Sequence, residues 1–99
     1  MIRPLEGITI LDLSSILMVP YCTRILADLG ADVIRVELPA GSSARESEPQ
    51  FSASPVGLKS LQYIAFNRNK RSIVLDPSSE NDLQTLKELI VRADFIFES

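Results

Sequence analysis

Residues 8–13 (Ile-Thr-Ile-Leu-Asp-Leu) form a short, nearly unbroken apolar run, bounded by Gly7 and by Ser14-Ser15. A β-rich run of that length between turn residues predicts a buried strand. Asp12 interrupts it and has two readings: a carboxylate near the strand's C-terminal end that accepts backbone N–H bonds, or a site residue. Residues 14–19 form a connection, and Pro20 suits the first turn of a helix, where no N–H is needed. Beyond it Cys22, Ile25, Leu26 and Leu29 recur at i, i+3, i+4 and i+7. That spacing predicts one apolar helix face, with Cys22 a small core residue on it. Arg24 and Asp28 are placed to pair on the outside, and Gly30 is a natural stop. Residues 32–37 read as a second strand centred on Val33 and Ile34. Strand, helix and strand in this order predict a parallel βαβ unit with a right-handed crossover.

The pattern breaks at residues 38–61, which hold Pro39, Gly41, Pro49, Pro55 and Gly57 among many serines. A loop this long inside a small domain is usually functional. It follows a strand's C-terminal end, the side on which open α/β sheets bind ligands. Residues 62–66 (Gln-Tyr-Ile-Ala-Phe) fit either a short helix or an extended segment. A polar, cationic loop, Asn67-Arg68-Asn69-Lys70-Arg71, then runs into a third strand at 72–75. Ser78 or Ser79 starts a helix, and Ser79 with Asp82 resembles a capping box. Leu83, Leu86, Leu89 and Ile90 form its apolar stripe, with Lys87 and Glu88 facing away. Residues 94–98 make a fourth strand. The plan is α/β: an open, mostly parallel sheet with flanking helices. A sheet whose last strand meets Ser99 leaves apolar faces without cover, so the expectation is an incomplete domain, completed by more chain or by a partner.

Composition narrows the function. The 99 residues make one domain at most, with 45% apolar residues and 23% charged ones. A net charge of −3 argues against a general nucleic-acid binder. One cysteine and no histidine leave no intrachain disulfide and no basis for a structural zinc site. The N-terminus lacks the apolar run of a signal peptide. No stretch approaches the ~20 apolar residues of a membrane span. The expected setting is soluble, reducing and cytoplasmic, without membrane partners.

Candidate chemistry is sparse. Arg68, Lys70 and Arg71 meet either an anionic ligand or carboxylates of the chain itself, or remain solvated. They enter their strand at the end opposite the ligand loops, which places them poorly for a compact ligand. The helix starts near Pro20 and Ser79 lie on the ligand edge and favour anions. Glu37 ends a strand where a dinucleotide-binding domain often holds a ribose. However, the loop after the first strand has no Gly-x-Gly-x-x-Gly, so neither NAD nor FAD is expected. No histidine base, activated cysteine or spaced carboxylate pair is present, and no catalytic residue or metal ligand is named.

Several stretches resemble the N-terminal segment of the family III CoA-transferases, which include α-methylacyl-CoA racemases. They are Pro4-Leu5-Glu6-Gly7-Ile8, Leu11-Asp12-Leu13-Ser14, Pro20-Tyr21-Cys22-Thr23, the run from Leu26-Ala27-Asp28-Leu29-Gly30 to Val36-Glu37, Asn67-Arg68-Asn69-Lys70-Arg71-Ser72-Ile73-Val74-Leu75-Asp76, and Ala93-Asp94-Phe95-Ile96-Phe97-Glu98-Ser99. The match is collinear over almost the whole chain. It implies that residues 1–99 are the N-terminal part of a Rossmann-like CoA-binding domain in an enzyme that moves CoA between carboxylic acids. The family's nucleophile is an Asp that becomes a mixed anhydride and then a thioester; it lies beyond residue 99, so this chain is expected to be inactive alone. CoA or acyl-CoA is then a substrate, with no tightly bound cofactor. The carboxylic acid is the second substrate, and an interlocked homodimer is the expected assembly. CoA contacts are implied at Leu17 and Met18 after the first strand, at Leu38 after the second, and at Leu75, Asp76, Pro77 and Ser78 after the third. The chain departs from the family in three places. Met18-Val19-Pro20 stands for Ala-Gly-Pro, where valine narrows the backbone's approach to a ligand. Ser78 stands for a lysine, and Gly41-Ser42-Ser43-Ala44-Arg45 for Gly-Asp-x-x-Arg. A racemase fragment and a non-catalytic interaction module are the alternatives.

Overall fold

The computed structural model describes residues 2–14, 18–39, 50–51 and 59–99. In chain order these form β1 (Thr9–Asp12), α1 (Met18–Asp28), β2 (Asp32–Glu37), β3 (Gln50–Phe51) and β4 (Lys59–Ser60). There follow α2 (Leu61–Asn67), β5 (Arg71–Val74), α3 (Glu80–Arg92) and β6 (Phe95–Phe97). Four strands make one sheet in the order β5-β2-β1-β6, and every pair in it is parallel. The open α/β architecture is therefore the one the sequence pattern predicts. Strand order reverses at β1, which has β2 on one side and β6 on the other, the arrangement that opens a crevice at the strands' carboxyl ends.

Two expectations in the middle of the chain are refined. Within the predicted loop at 38–61, Gln50–Phe51 and Lys59–Ser60 pair antiparallel as a separate two-stranded ladder. Residues 62–66, open between helix and extended chain, belong to α2. The Gly41–Arg45 stretch and Leu17 lie outside the described residues.

The face of α1 is a correction. Cys22, Ile25 and Leu29 were expected inside; Cys22 is exposed, and Ile25 and Leu29 are also exposed. The helix instead turns Pro20, Thr23 and Ala27 onto the sheet. These three share one face at i, i+3 and i+7, and their small size lets the helix axis come close to the strands. Leu26 borders both stripes and packs on the core of Ile10, Ala27, Ala31 and Val33, with Leu5, Ile8 and Phe97. Gly30 ends α1 as predicted, at φ +109°, and a Cβ there would lie 2.6 Å from the Arg3 Cβ. The glycine thus admits both the left-handed turn and the close pass of the N-terminal segment.

On the opposite face α3 covers the sheet loosely. None of its residues is fully buried. A cleft of about 530 Å³ separates it from Leu11, Ile34 and Ile73, with Leu89 on its helix side.

Candidate functional site

Residues that follow β1, β2 and β5 meet at the sheet's carboxyl edge around a cavity of about 250 Å³. Leu38, Leu75 and Pro77, three of the residues expected at a ligand, line it together with Leu13, Val36, Leu86 and the carboxylate-bearing Asp82. Leu38 is more than half exposed at the mouth, whereas Leu75 is buried. The register explains the meeting. Glu37 pairs with Val74, so the residues after β2 and β5 leave the sheet side by side, and the Leu75 N–H donates to the Glu37 carbonyl at 2.9 Å. Met18, Asp76 and Ser78 do not line this cavity. Met18 begins α1 with its side chain in solvent.

Asp76 and Ser78 build the turn into α3 instead. The Asp76 carboxylate accepts the Ser78 N–H at 2.9 Å and the Ser78 hydroxyl at 2.7 Å. These bonds from Ser78 hold its pKa below the ordinary carboxylate value. Ser79 caps the helix by accepting from the Asp82 N–H. The Asp82 carboxylate departs from a true capping box, taking the Asp76 N–H at 2.9 Å rather than that of Ser79. Asp76, Glu80 and Asp82 therefore surround this helix start and oppose an anion there. The cavity beside it suits an uncharged, largely apolar group.

Behind the edge, on the α1 side of the sheet, lies a buried ion cluster that the sequence pattern did not reveal. Val33, Arg35 and Glu37 are the inward positions of β2, and all three are buried. Asp12 projects beside them with none of its surface exposed. Its carboxylate accepts from the Ser14 N–H at 2.9 Å, the Ser14 hydroxyl, the Thr23 hydroxyl at 2.7 Å and the Lys70 ammonium at 3.0 Å. Arg35 Nη1 lies 3.5 Å from Asp12, and Arg35 Nε lies 3.5 Å from Glu37. Tyr63 of α2 donates its hydroxyl to Glu37, and its ring sits 5.6 Å from the Arg35 guanidinium. Burial pushes the Asp12 carboxyl up, but the hydrogen bonds from Ser14 and Thr23 and the Lys70 charge outweigh it and leave the pKa lowered. Burial also lowers the Lys70 ammonium, against the pull of Asp12.

All three cations of the 67–71 loop find carboxylates of the chain. Arg68 pairs with Asp28 at 2.9 Å, Lys70 with Asp12 at 3.0 Å and Arg71 with Asp32 at 2.6 Å. Arg68 and Arg71 stay near the strands' entry end. Lys70, two residues beyond Arg68, reaches across β2 to the exit end. Of the two readings of Asp12, the structure bears out the backbone acceptor, through the Ser14 N–H, and adds side-chain donors that make the carboxylate the centre of an internal cluster. Among the described residues, no group of three or more His, Cys, Asp or Glu side chains is placed to hold a metal ion. No helix there is long and apolar enough to cross a membrane.

An open parallel sheet whose order reverses at β1, with a small, mostly apolar cavity at its carboxyl edge, defines an open α/β fold of the Rossmann type. The chain belongs to the CoA-transferase family III, whose profile matches residues 5–99. It is 42% identical over 99 residues to the human (Homo sapiens) succinyl-CoA:glutarate CoA-transferase, a match that takes in 99% of this chain and 22% of that protein. It is 38% identical to the succinyl-CoA:mesaconate CoA-transferase of Haloarcula hispanica, over 96% of this chain and 24% of that one. Among solved structures, a CaiB/BaiF family protein from Brucella suis superposes with a TM-score of 0.88 at 35% identity, over 97% of this chain and 25% of that chain. The chain thus spans about a quarter of the length of the relatives it matches.

Proposed function

We propose that this chain is the N-terminal CoA-binding portion of a CoA-transferase that moves CoA between carboxylic acids. The nucleophilic Asp is then supplied by sequence outside these 99 residues. The observation that carries the reading is the cavity at the sheet's carboxyl edge, where Leu38, Leu75 and Pro77 converge from separate segments. Family membership and the names of the relatives supply the ligand class: an acyl-CoA, with a carboxylic acid as acceptor. The carboxylates around the start of α3 favour an uncharged part of CoA in the cavity and keep its phosphates elsewhere on the edge.

Titration calorimetry of the chain with CoA tests this. Binding with a Kd at or below about 1 mM is expected. Leu38→Asp, at the cavity's mouth, is expected to weaken it about tenfold or more by putting a charge beside an apolar group. Because Leu38 is exposed, the variant's stability should stay within about 0.5 kcal/mol of the parent chain. No heat with millimolar CoA overturns the reading.

A further inference from the structure

We propose that Lys70 is the positioning residue of the ligand edge: one buried ammonium that holds both ends of the β1–α1 connection and ties them to α2. The inference rests on the reading that this edge receives CoA, and adds a residue that touches no ligand. The Lys70 side chain is 2% exposed. Its Nζ donates to the Asp12 carboxylate at 3.0 Å, the Pro20 carbonyl at 3.0 Å and the Asn67 side-chain carbonyl at 2.8 Å. An ammonium has three donors, and all three are used.

The acceptors are not equivalent. Asp12 is the last residue of β1, and Pro20 lies in the first turn of α1. The connection expected to meet the ligand runs between them, so a single charge clamps it at both ends. Asn67 is the last residue of α2, the helix that closes the second ligand loop. Its Nδ2 also donates to the Tyr63 carbonyl at 3.1 Å, which fixes the amide for Lys70. Asn69, between them, has φ +66° and donates its amide to the Ala27 carbonyl at 3.2 Å. That left-handed residue turns the chain from α2 into β5 and sends Lys70 inward.

A buried ammonium is a costly way to hold a fold, since a well-packed apolar group often stabilises as well or better. What the ammonium adds is convergence of three acceptors at one point. Substitution should therefore loosen the edge more than the sheet.

The test compares the parent chain with Lys70→Met and with the charge-balanced double variant Asp12→Asn/Lys70→Met. Amide hydrogen exchange is followed at Ser14 and at residues 22–24, whose N–H groups bond to Asp12 and to the first turn of α1. The β2 amides report the sheet. In the charge-balanced double variant, which leaves no unpaired buried carboxylate, exchange at the edge is expected to quicken about tenfold or more, the scale of one lost charge-assisted bond, while β2 keeps its protection. CoA affinity is expected to fall about tenfold or more in both variants. A merely structural lysine moves edge and sheet together, and that result overturns the proposal. Unchanged edge exchange overturns it too, as does a loosened edge with undiminished CoA affinity. If the parent chain binds no CoA, the CoA reading fails, and the exchange data alone decide whether Lys70 positions the edge. If neither variant folds, Lys70 is a residue of the core and the proposal is wrong.

Discussion

Asp12 follows Ile10 and Leu11 in β1, and it is as buried as they are. A carboxylate there persists only because several donors meet it. The oddity of Asp12 was plain in the sequence, but its partners were not. Thr23 is 11 residues away and Lys70 is 58, and no local pattern reports such distances. Arg35 and Glu37 held a better clue. They share strand parity with Val33, so a buried Val33 implied two buried charges needing each other. The lowered pKa makes the cluster pH-dependent, with a definite sign. Below its ordinary value of 3.8 the unfolded carboxyl takes up a proton before the folded one does. The Asp12 contribution is therefore complete above pH 3.8 and is lost as pH falls through the lowered folded value. Asp12→Asn, which leaves a buried pair with one partner, is expected to cost about 3–5 kcal/mol at neutral pH. Urea unfolding at a series of pH values should show the gap between the two chains closing below pH 3.8. A gap that stays constant refutes the assignment.

Among the elements, β2 was legible to the residue and α1 was not. The bounds of β2 follow from its apolar centre at Val33 and Ile34, but Ile34 and Val36 share the opposite parity, so alternation alone does not turn Val33, Arg35 and Glu37 inward. In α1, two stripes compete: a bulky one through Cys22, Ile25 and Leu29, and a small one through Pro20, Thr23 and Ala27. Side-chain size argued for the first, but the sheet accepted the second. Close approach and a hydroxyl for Asp12 outweighed bulk, and neither is visible in periodicity. Cys22 supplies the check. In the native chain it should react with a thiol reagent without denaturant, and Cys22→Ser should change stability by no more than about 0.5 kcal/mol. A thiol that reacts only on unfolding returns it to the core. The sequence of 38–61 carries the signals of a long loop alone, because a ladder of two residues on each side is too short to leave an alternation.

For the molecule as a whole, apolar side chains are exposed on α1, on α3 and along the sheet's outer strands. Phe95 is 57% exposed, Val74 56% and Val91 84%. Among the described residues, β5 and β6 each have one strand neighbour. Open edges flanked by apolar groups invite pairing. The purified chain is expected to self-associate, so its sedimentation coefficient and thermal midpoint should both rise with concentration. A monomer with a sharp, concentration-independent transition contradicts that. The strand order also dictates a timetable. β1 is made first and lies inside the sheet, yet its second neighbour is β6. Thr9 and Asp94 exchange two bonds at 2.8 Å across 85 residues of chain. During synthesis one flank of β1 stays bare until residues 94–97 have been added. Contacts of such long range form slowly. A growing chain paused before Asp94 thus presents its own core strand as an edge, and that interval is when it most needs shielding from its neighbours.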